Sequence, residues 1–315
     1  MLKQMPRKYI LIIAMLSWAL PAIAQDSPLT QWFNNKHASN PSMAGAARQL
    51  RLNTFYRNQW PKASAGFEYY GASADMPINK NMGVGIGLTN DHGSAFSKPN
   101  IFGTYSYTIK TGLQSEVRFG IKIGAVQKYL SAADLKFEQA EYVPRKSSGI
   151  KPDAGIGISA STTRFFAGAA LDHITRPQLS VGGNVESRTS IKLTVDAGYI
   201  HKIRTLNMKK DAEIMPVFIF QRQGTQQNLQ FAVIGEVSCI LMGAAVRKNF
   251  NTDPPISSII LGYRSLDLRI AYNYDFETNK KTTKMGNAHE ISITKLFEMK
   301  RKEKHKTIDC PSFLR

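Results

Sequence analysis

Asp153-Ala154-Gly155-Ile156-Gly157-Ile158-Ser159-Ala160 alternates without a break. Ala154, Ile156, Ile158 and Ala160 share one face, and Asp153, Gly155, Gly157 and Ser159 share the other. Successive side chains of a strand point to opposite sides, so a period of two marks a strand with one apolar and one polar face. The pattern recurs on either side. Val117, Phe119, Ile121 and Ile123 lie opposite Arg118, Gly120, Lys122 and Gly124, and Ile191 to Tyr199 alternates with Lys192, Thr194, Asp196 and Gly198. Leu268, Ile270, Tyr272 and Tyr274 lie opposite Asp267, Arg269, Ala271 and Asn273.

A soluble two-sheet sandwich also alternates, but its solvent face carries long charged residues and few glycines. Here glycine recurs on the non-apolar face, at Gly83, Gly85, Gly87, Gly120, Gly124, Gly155, Gly157 and Gly198. Glycine weakens a strand interior unless close packing or curvature requires it. The concave inner face of a closed barrel, crowded by opposing walls or a plug, supplies that requirement. The expected fold is therefore all-β, a transmembrane antiparallel up-and-down barrel.

Fourteen strands are expected, near 50–57, 66–75, 83–90, 100–109, 116–126, 153–160, 164–172, 190–201, 213–222, 227–236, 239–247, 256–264, 266–275 and 288–297. Most approach the roughly nine to eleven residues that a tilted strand needs to cross a bilayer. If both termini face the periplasm, connections should alternate long outside and short inside. Short ones fall at 110–115, 161–163, 237–238 and around 265, and long ones at 91–99, 127–152, 173–189, 248–255 and 276–287. The longish inner turn 202–212 and the short outer turn 223–226 depart from the rule. Tyr105, Tyr107, Tyr199, Tyr263, Tyr272 and Tyr274 sit near strand ends, where amphipathic rings favour the interface.

Residues 1–24 read as a signal peptide. Lys3, Arg7 and Lys8 precede the apolar stretch Tyr9–Leu20, and Ala22-Ile23-Ala24 fits the small-x-small cleavage pattern. The expected organisation is leader 1–24, a periplasmic or plug segment 25–49, a barrel 50–298 and a basic tail 299–315. The expected location is the bacterial outer membrane, reached through the general secretory pathway. The chain carries 41 Lys and Arg against 23 Asp and Glu, a net +18. In an exported protein that excess points to acidic protein surfaces, outer-membrane lipid and lipopolysaccharide phosphates rather than nucleic acid. The two cysteines, Cys239 and Cys310, make no disulfide framework.

Covalent chemistry has no visible seat. His289-Glu290 begins like a zinc-protease site, but Ile293 stands where the second imidazole belongs. There is no Gly-x-Ser-x-Gly elbow and no Walker loop. The six histidines show no metal-ligand spacing. Neither an enzyme nor a bound cofactor is expected.

The ends of the barrel carry the most specific text. Gln31-Trp32-Phe33-Asn34 precedes Asn40-Pro41-Ser42-Met43-Ala44-Gly45, then come Arg57-Asn58-Gln59-Trp60, Ser73-Ala74-Asp75-Met76-Pro77 and Asn90-Asp91-His92-Gly93. Tyr272-Asn273-Tyr274-Asp275 and His289-Glu290-Ile291-Ser292-Ile293 follow near the far end, and Cys310-Pro311-Ser312-Phe313 closes the chain. In order and spacing this resembles the PorP/SprF family of Bacteroidetes outer-membrane proteins, with its NPAYAG, R-x-Q-W, S-x-D-x-P, N-D-x-x-G and Y-x-Y-D … H-E-I-x-L elements. Ser42-Met43 replaces the usual Ala-Tyr, Gly93 comes one residue early, and residues 127–230 match only as strand pattern.

The resemblance implies a part in type IX protein secretion and gliding. It implies contact with periplasmic ring lipoproteins and with C-terminal domains of secreted proteins. Candidate partner-binding residues are Trp32, Asn40, Pro41, Arg57, Gln59, Trp60, Asp75, Asp91, Lys300, Arg301 and Lys302. Each motif residue also has a purely structural reading, as a turn, a strand end or an interface anchor. The competing function is an outer-membrane transporter or channel of the long-chain fatty acid type. The small glycine-rich inner face and a segment 25–49 long enough to plug a narrow bore favour a sealed barrel.

Overall fold

A computed structural model describes residues 26–63, 66–93, 96–130, 146–181, 187–203, 212–250, 254–277 and 285–299. The expected leader and the tail from residue 300 onward, with Lys300, Arg301 and Lys302, lie outside these residues.

The wall consists of β1 (Leu50–Gln59), β2 (Phe67–Pro77), β3 (Met82–Gly93), β4 (Phe96–Lys110), β5 (Glu116–Val126), β6 (Lys151–Ser161) and β7 (Phe165–Asp172). It continues with β8 (Lys192–Tyr199), β9 (Ala212–Gln223), β10 (Gln226–Val237), β11 (Ile240–Asn249), β12 (Ile256–Arg264), β13 (Leu268–Phe276) and β14 (Ala288–Phe297). Three short ladder pieces, Tyr129–Leu130, Lys146–Ser147 and His201–Ile203, prolong β5, β6 and β8 past local breaks. The fourteen expected strands are therefore the fourteen strands of the wall.

Each strand pairs antiparallel with the next, and β14 returns to β1 from Leu50↔Phe297 to Gln59↔Ala288. Closure removes the unpaired backbone edge that hydrocarbon cannot satisfy. Polarity is inverted relative to a soluble protein. The outward positions of β3, β5, β10 and β12 expose Ile86, Ile123, Phe231 and Leu261 by 53–68%. The inward positions bury Arg118, Lys122, Asp153, Thr194, Asp196, Asn273 and Asp275. No helix among the described residues is long and apolar enough to cross a membrane; the strands do the crossing.

One connection differs from the sequence reading. Residues 91–99 are not a long loop, because the β3–β4 ladder runs on through Asp91↔Lys98 to Gly93↔Phe96. Past Leu88 the outward positions become Asn90 and His92, so the apolar half of the alternation stops while the strand does not. A ladder that leaves the hydrocarbon keeps its hydrogen bonds and loses only its greasy face. At β8 the break comes from Ile200, which turns inward, is 1% exposed, and donates its N–H to the Arg164 carbonyl. One end of the wall carries the long connections, together with the two-residue links 94–95 and 224–225; the other carries short turns except at 200–211, and both β1 and β14 meet that short-turn end.

Candidate functional site

The bore is occupied by the chain's own residues 26–48. Thr30 to His37 and Asn40 to Ala47 are buried. The segment folds as three short turns of helix, Trp32–Asn34, Lys36–Ser39 and Pro41–Met43. None is long enough to be stable alone, so packing against the wall has to hold them. Asn40 sets the last turn locally: its side chain accepts from the Ser42 N–H at 3.1 Å, and Pro41 fixes the first helical dihedral.

Inward-facing wall residues grip this segment in three places. Near the short-turn end, Asp75 of β2 accepts from the Gly45 N–H at 2.8 Å and from Arg51 Nε at 2.8 Å, and its carboxylate lies 3.3 Å from His37 Nδ1. Ser42 Oγ lies 2.8 Å from Ser159 Oγ, whose hydroxyl donates because that of Ser42 goes to Asn40 Oδ1, and Asn40 Nδ2 donates to the Ile158 carbonyl at 3.0 Å.

The second grip is a buried ion cluster. Arg57 of β1 reaches Asp275 of β13 at 2.7 Å through one nitrogen and Glu290 of β14 at 2.9 Å through the other. Arg247 of β11 adds a second cation to Asp275 at 3.0 Å, and Ser258 donates to the same carboxylate at 2.7 Å. Glu290 then accepts the backbone N–H groups of Thr30 and Gln31 at 2.9 and 2.7 Å. Arg57, Asp275 and Glu290 are no more than 1% exposed. A buried pair need not add net stability, but stripping one member leaves the other charge unanswered.

The third grip lies at the long-connection end. Asp26 pairs with Lys98 at 2.6 Å, Lys192 at 3.3 Å and His173 Nε2 at 3.0 Å, and His173 Nδ1 meets Asp153 at 2.7 Å. Ser27 donates to Asp91, and the Asp26 N–H donates to Gln223. Beneath this strap the bore keeps a chamber of about 70 Å³, lined by Trp32, Lys122 and Asp172 among others. A few water molecules fill such a volume.

Burial works against a charge on His173, yet Asp26 and Asp153 prevail and raise its pKa to about 9. A pKa raised on folding stabilises fully below the free imidazole value and is lost as pH climbs through the folded one. Between pH 7 and 10 the strap should therefore loosen, by up to about 3 kcal/mol for a shift of this size. Limited proteolysis at residues 26–30 should accelerate over that range in the parent and stay flat in His173→Phe. Equal pH profiles would remove the imidazolium from the account.

Close approach decides two glycines. A Cβ on Gly120 would sit 2.2 Å from the Ser42 nitrogen, and one on Gly157 would sit 2.1 Å from Asn40 Oδ1. The inner-face glycines thus make room for the turn that Asn40-Pro41 starts.

The residues singled out in the sequence fall into separate groups. Trp32, Asn40, Pro41, Arg57 and Asp75 are buried in the bore, and Asp91 faces inward to hold Ser27. Gln59 ends β1 with its amide oxygen 3.5 Å from Arg57. Trp60 stands apart at the rim, with φ at +60°, its indole N–H donating to Glu277 at 2.9 Å and its ring packed edge-on against Phe67. Asp26, Arg51, His173, Arg247, Asp275 and Glu290 carry as much of the grip and were not among the candidates. Their signal was available: except for Asp26 and His173, they are ionisable residues at inward positions of predicted strands. Among the described residues no group of three His, Cys, Asp or Glu side chains could hold a metal ion.

Residues 22–294 match the profile of a family described as type IX secretion system membrane protein PorP/SprF. The chain belongs to the PorP/SprF family. A PorP/SprF protein is a membrane component of type IX secretion, and a closed strand barrel in that system is an outer-membrane protein. No curated protein matches the sequence. Among solved structures, a Pseudomonas aeruginosa FadL homologue is similar at 14% identity and a TM-score of 0.45, over 84% of this chain and 94% of that one. The Ralstonia pickettii toluene transporter TbuX is similar at 10% identity and 0.48, over the same shares. The KdgM porin is similar at 6% identity and 0.36, over 79% of this chain and 99% of that one. In this PorP/SprF protein Arg57, Asp75, Asp91, Asp275 and Glu290, from motif elements near both ends of the wall, converge on residues 26–48.

Proposed function

We propose that this PorP/SprF protein works by binding: it is a non-enzymatic part of the type IX machinery that holds exported proteins, or their C-terminal domains, at the long connections. The inner turns and the basic tail contact periplasmic ring lipoproteins below. The observation behind this reading is the filled bore. A conduit needs a clear lumen, whereas here Thr30 to His37 and Asn40 to Ala47 are buried in it, and residues 26–48 are tied to the wall by ion pairs at their two ends, Asp26–Lys98 and Arg48–Glu116, and between them by the Thr30 and Gln31 N–H groups on Glu290. Placing motif residues such as Arg57 and Asp75 in the bore leaves the connections, Trp60 and the tail as the parts free to meet a partner. In that scheme the motifs near the chain's ends hold the sealed scaffold and the long connections choose the cargo.

Mass spectrometry of what accompanies the protein through gentle detergent purification tests the reading. Co-purifying secretion components and no single-channel conductance support it; an open conductance with no partner would replace it with transport. Deletion of residues 300–315 should lower recovery of the periplasmic partners while the barrel still assembles, because the tail supplies Lys300, Arg301, Lys302, Lys304 and Lys306 for steering toward acidic surfaces. Undiminished recovery of every partner would remove the tail from the scheme.

A further inference from the structure

We propose that the mature amino terminus opens at the outer mouth of the barrel, inside the crown of long connections, and that hydrolysis releasing the leader has to precede seating of residues 26–48. The direction of the segment is fixed by what each part touches. Asp26 meets Lys98 near the start of β4, Lys192 at the start of β8, and His173 just past the end of β7, while its N–H reaches Gln223 at the end of β9. Ser27 meets Asp91 near the end of β3. All five wall residues lie at the long-connection end. Twenty residues later the neighbours are those of the opposite end. Gly45 meets Asp75 near the close of β2, and Arg48 pairs at 2.7 Å with Glu116, the first residue of β5. Between these, Thr30 and Gln31 meet Glu290 of β14, and Asn40 meets the Ile158 carbonyl of β6. The segment thus runs down the bore from the long connections to the short turns, where β1 begins. Asp26, at the start of the described segment, and Phe297, at the end of β14, therefore lie at opposite ends of the barrel.

That direction constrains processing. An exported chain with its leader attached stays tethered to the membrane it was exported through, across the periplasm from the barrel. The leader's apolar stretch, Tyr9–Leu20, is about a dozen residues and cannot bridge that gap while Asp26 sits at the outer mouth. The reaction that must come first is hydrolysis of the Ala24–Gln25 peptide bond by a leader peptidase. Water adds across the bond, leaving a carboxylate on the leader and a new α-amino group on Gln25.

Two epitope insertions in the full chain test the topology in intact cells, one between Gln25 and Asp26 and one after Arg315. The amino-terminal epitope should be detected equally in intact and permeabilised cells, and the carboxyl-terminal one only after permeabilisation. An amino-terminal epitope seen only after permeabilisation overturns the inference. Should that insertion block assembly, Ser27→Cys in a Cys239→Ser, Cys310→Ser background gives the same readout with a membrane-impermeant maleimide. In a second arm, Ala22→Leu with Ala24→Leu prevents processing. The chain should then remain in the inner-membrane fraction, without an SDS-resistant folded form. A leader-bearing barrel in the outer membrane whose residues 26–48 resist protease would contradict the required order. Both readouts stand whatever the barrel binds.

Discussion

Arg57→Met should lower the stability of the folded barrel by about 3–5 kcal/mol, the usual cost of leaving a buried charge without its partner. The substitution removes both contacts at once, so Asp275 keeps only Arg247 as an ion-pair partner and Glu290 loses its direct ion pair, keeping only the more distant charge of Arg247. Glu290 in turn holds the Thr30 and Gln31 N–H groups, and repulsion between the two stranded carboxylates pulls on the segment. The temperature at which the SDS-resistant form unfolds should fall, and bursts of conductance should appear in planar bilayers as the segment loosens. Arg57→Lys should recover little, because an ammonium cannot span two carboxylates as a planar guanidinium does. Adding Glu290→Gln to Arg57→Met should restore part of the loss by removing one unpaired charge. An Arg57→Met barrel with the parent's unfolding temperature would show that the cluster carries no energy.

Gly157→Val should unseat the Asn40–Met43 turn. Overfilling a packed site costs about 1–3 kcal/mol when neighbours can shift. Here the colliding atom is Asn40 Oδ1 at 2.1 Å, itself fixed by the Ser42 N–H and Oγ. The expected outcome is protease cleavage within residues 36–45 of an otherwise intact barrel, with Gly120→Val behaving alike. Gly103→Val serves as the control, since the nearest atom to a Cβ there is 3.9 Å away. Equal cleavage of Gly157→Val and Gly103→Val would show that the fit between wall and turn is loose.

The strand count was legible because hydrocarbon enforces strict alternation: Ile156 and Ile158, or Leu193 and Val195, cannot change places with their neighbours without turning a polar side chain to lipid. Legibility failed where that enforcement ends. Asn90-Asp91-His92-Gly93 reads as loop because both its faces are polar, although it continues the β3 ladder. The family motifs were visible as text, but what each one touches was not. Arg57 answers Asp275 and Glu290, more than two hundred residues away, and Asp75 answers the Gly45 N–H, a backbone group with no sequence signature. A chain read in order offers no way to tell a residue saved for a partner from one saved for its own interior. The inward charges of β13 and β14 were the missing clue, since a buried carboxylate on a barrel's inner face needs something to pair with.

The Thr30–Glu290 bond joins residues 260 apart, and Gln31 with Ser292 spans 261. A segment that precedes the first strand is therefore completed only by the last strand of the wall. Folding slows as contacts grow more distant along the chain, because loop entropy has to be surrendered before the contact returns anything. Until β14 pairs with β1 the wall keeps an open edge, and residues 26–48 lack the Glu290 contact that holds their middle. Holdase chaperones that keep such a chain extended until Glu290 arrives should matter more to it than to a barrel of the same size with an empty lumen.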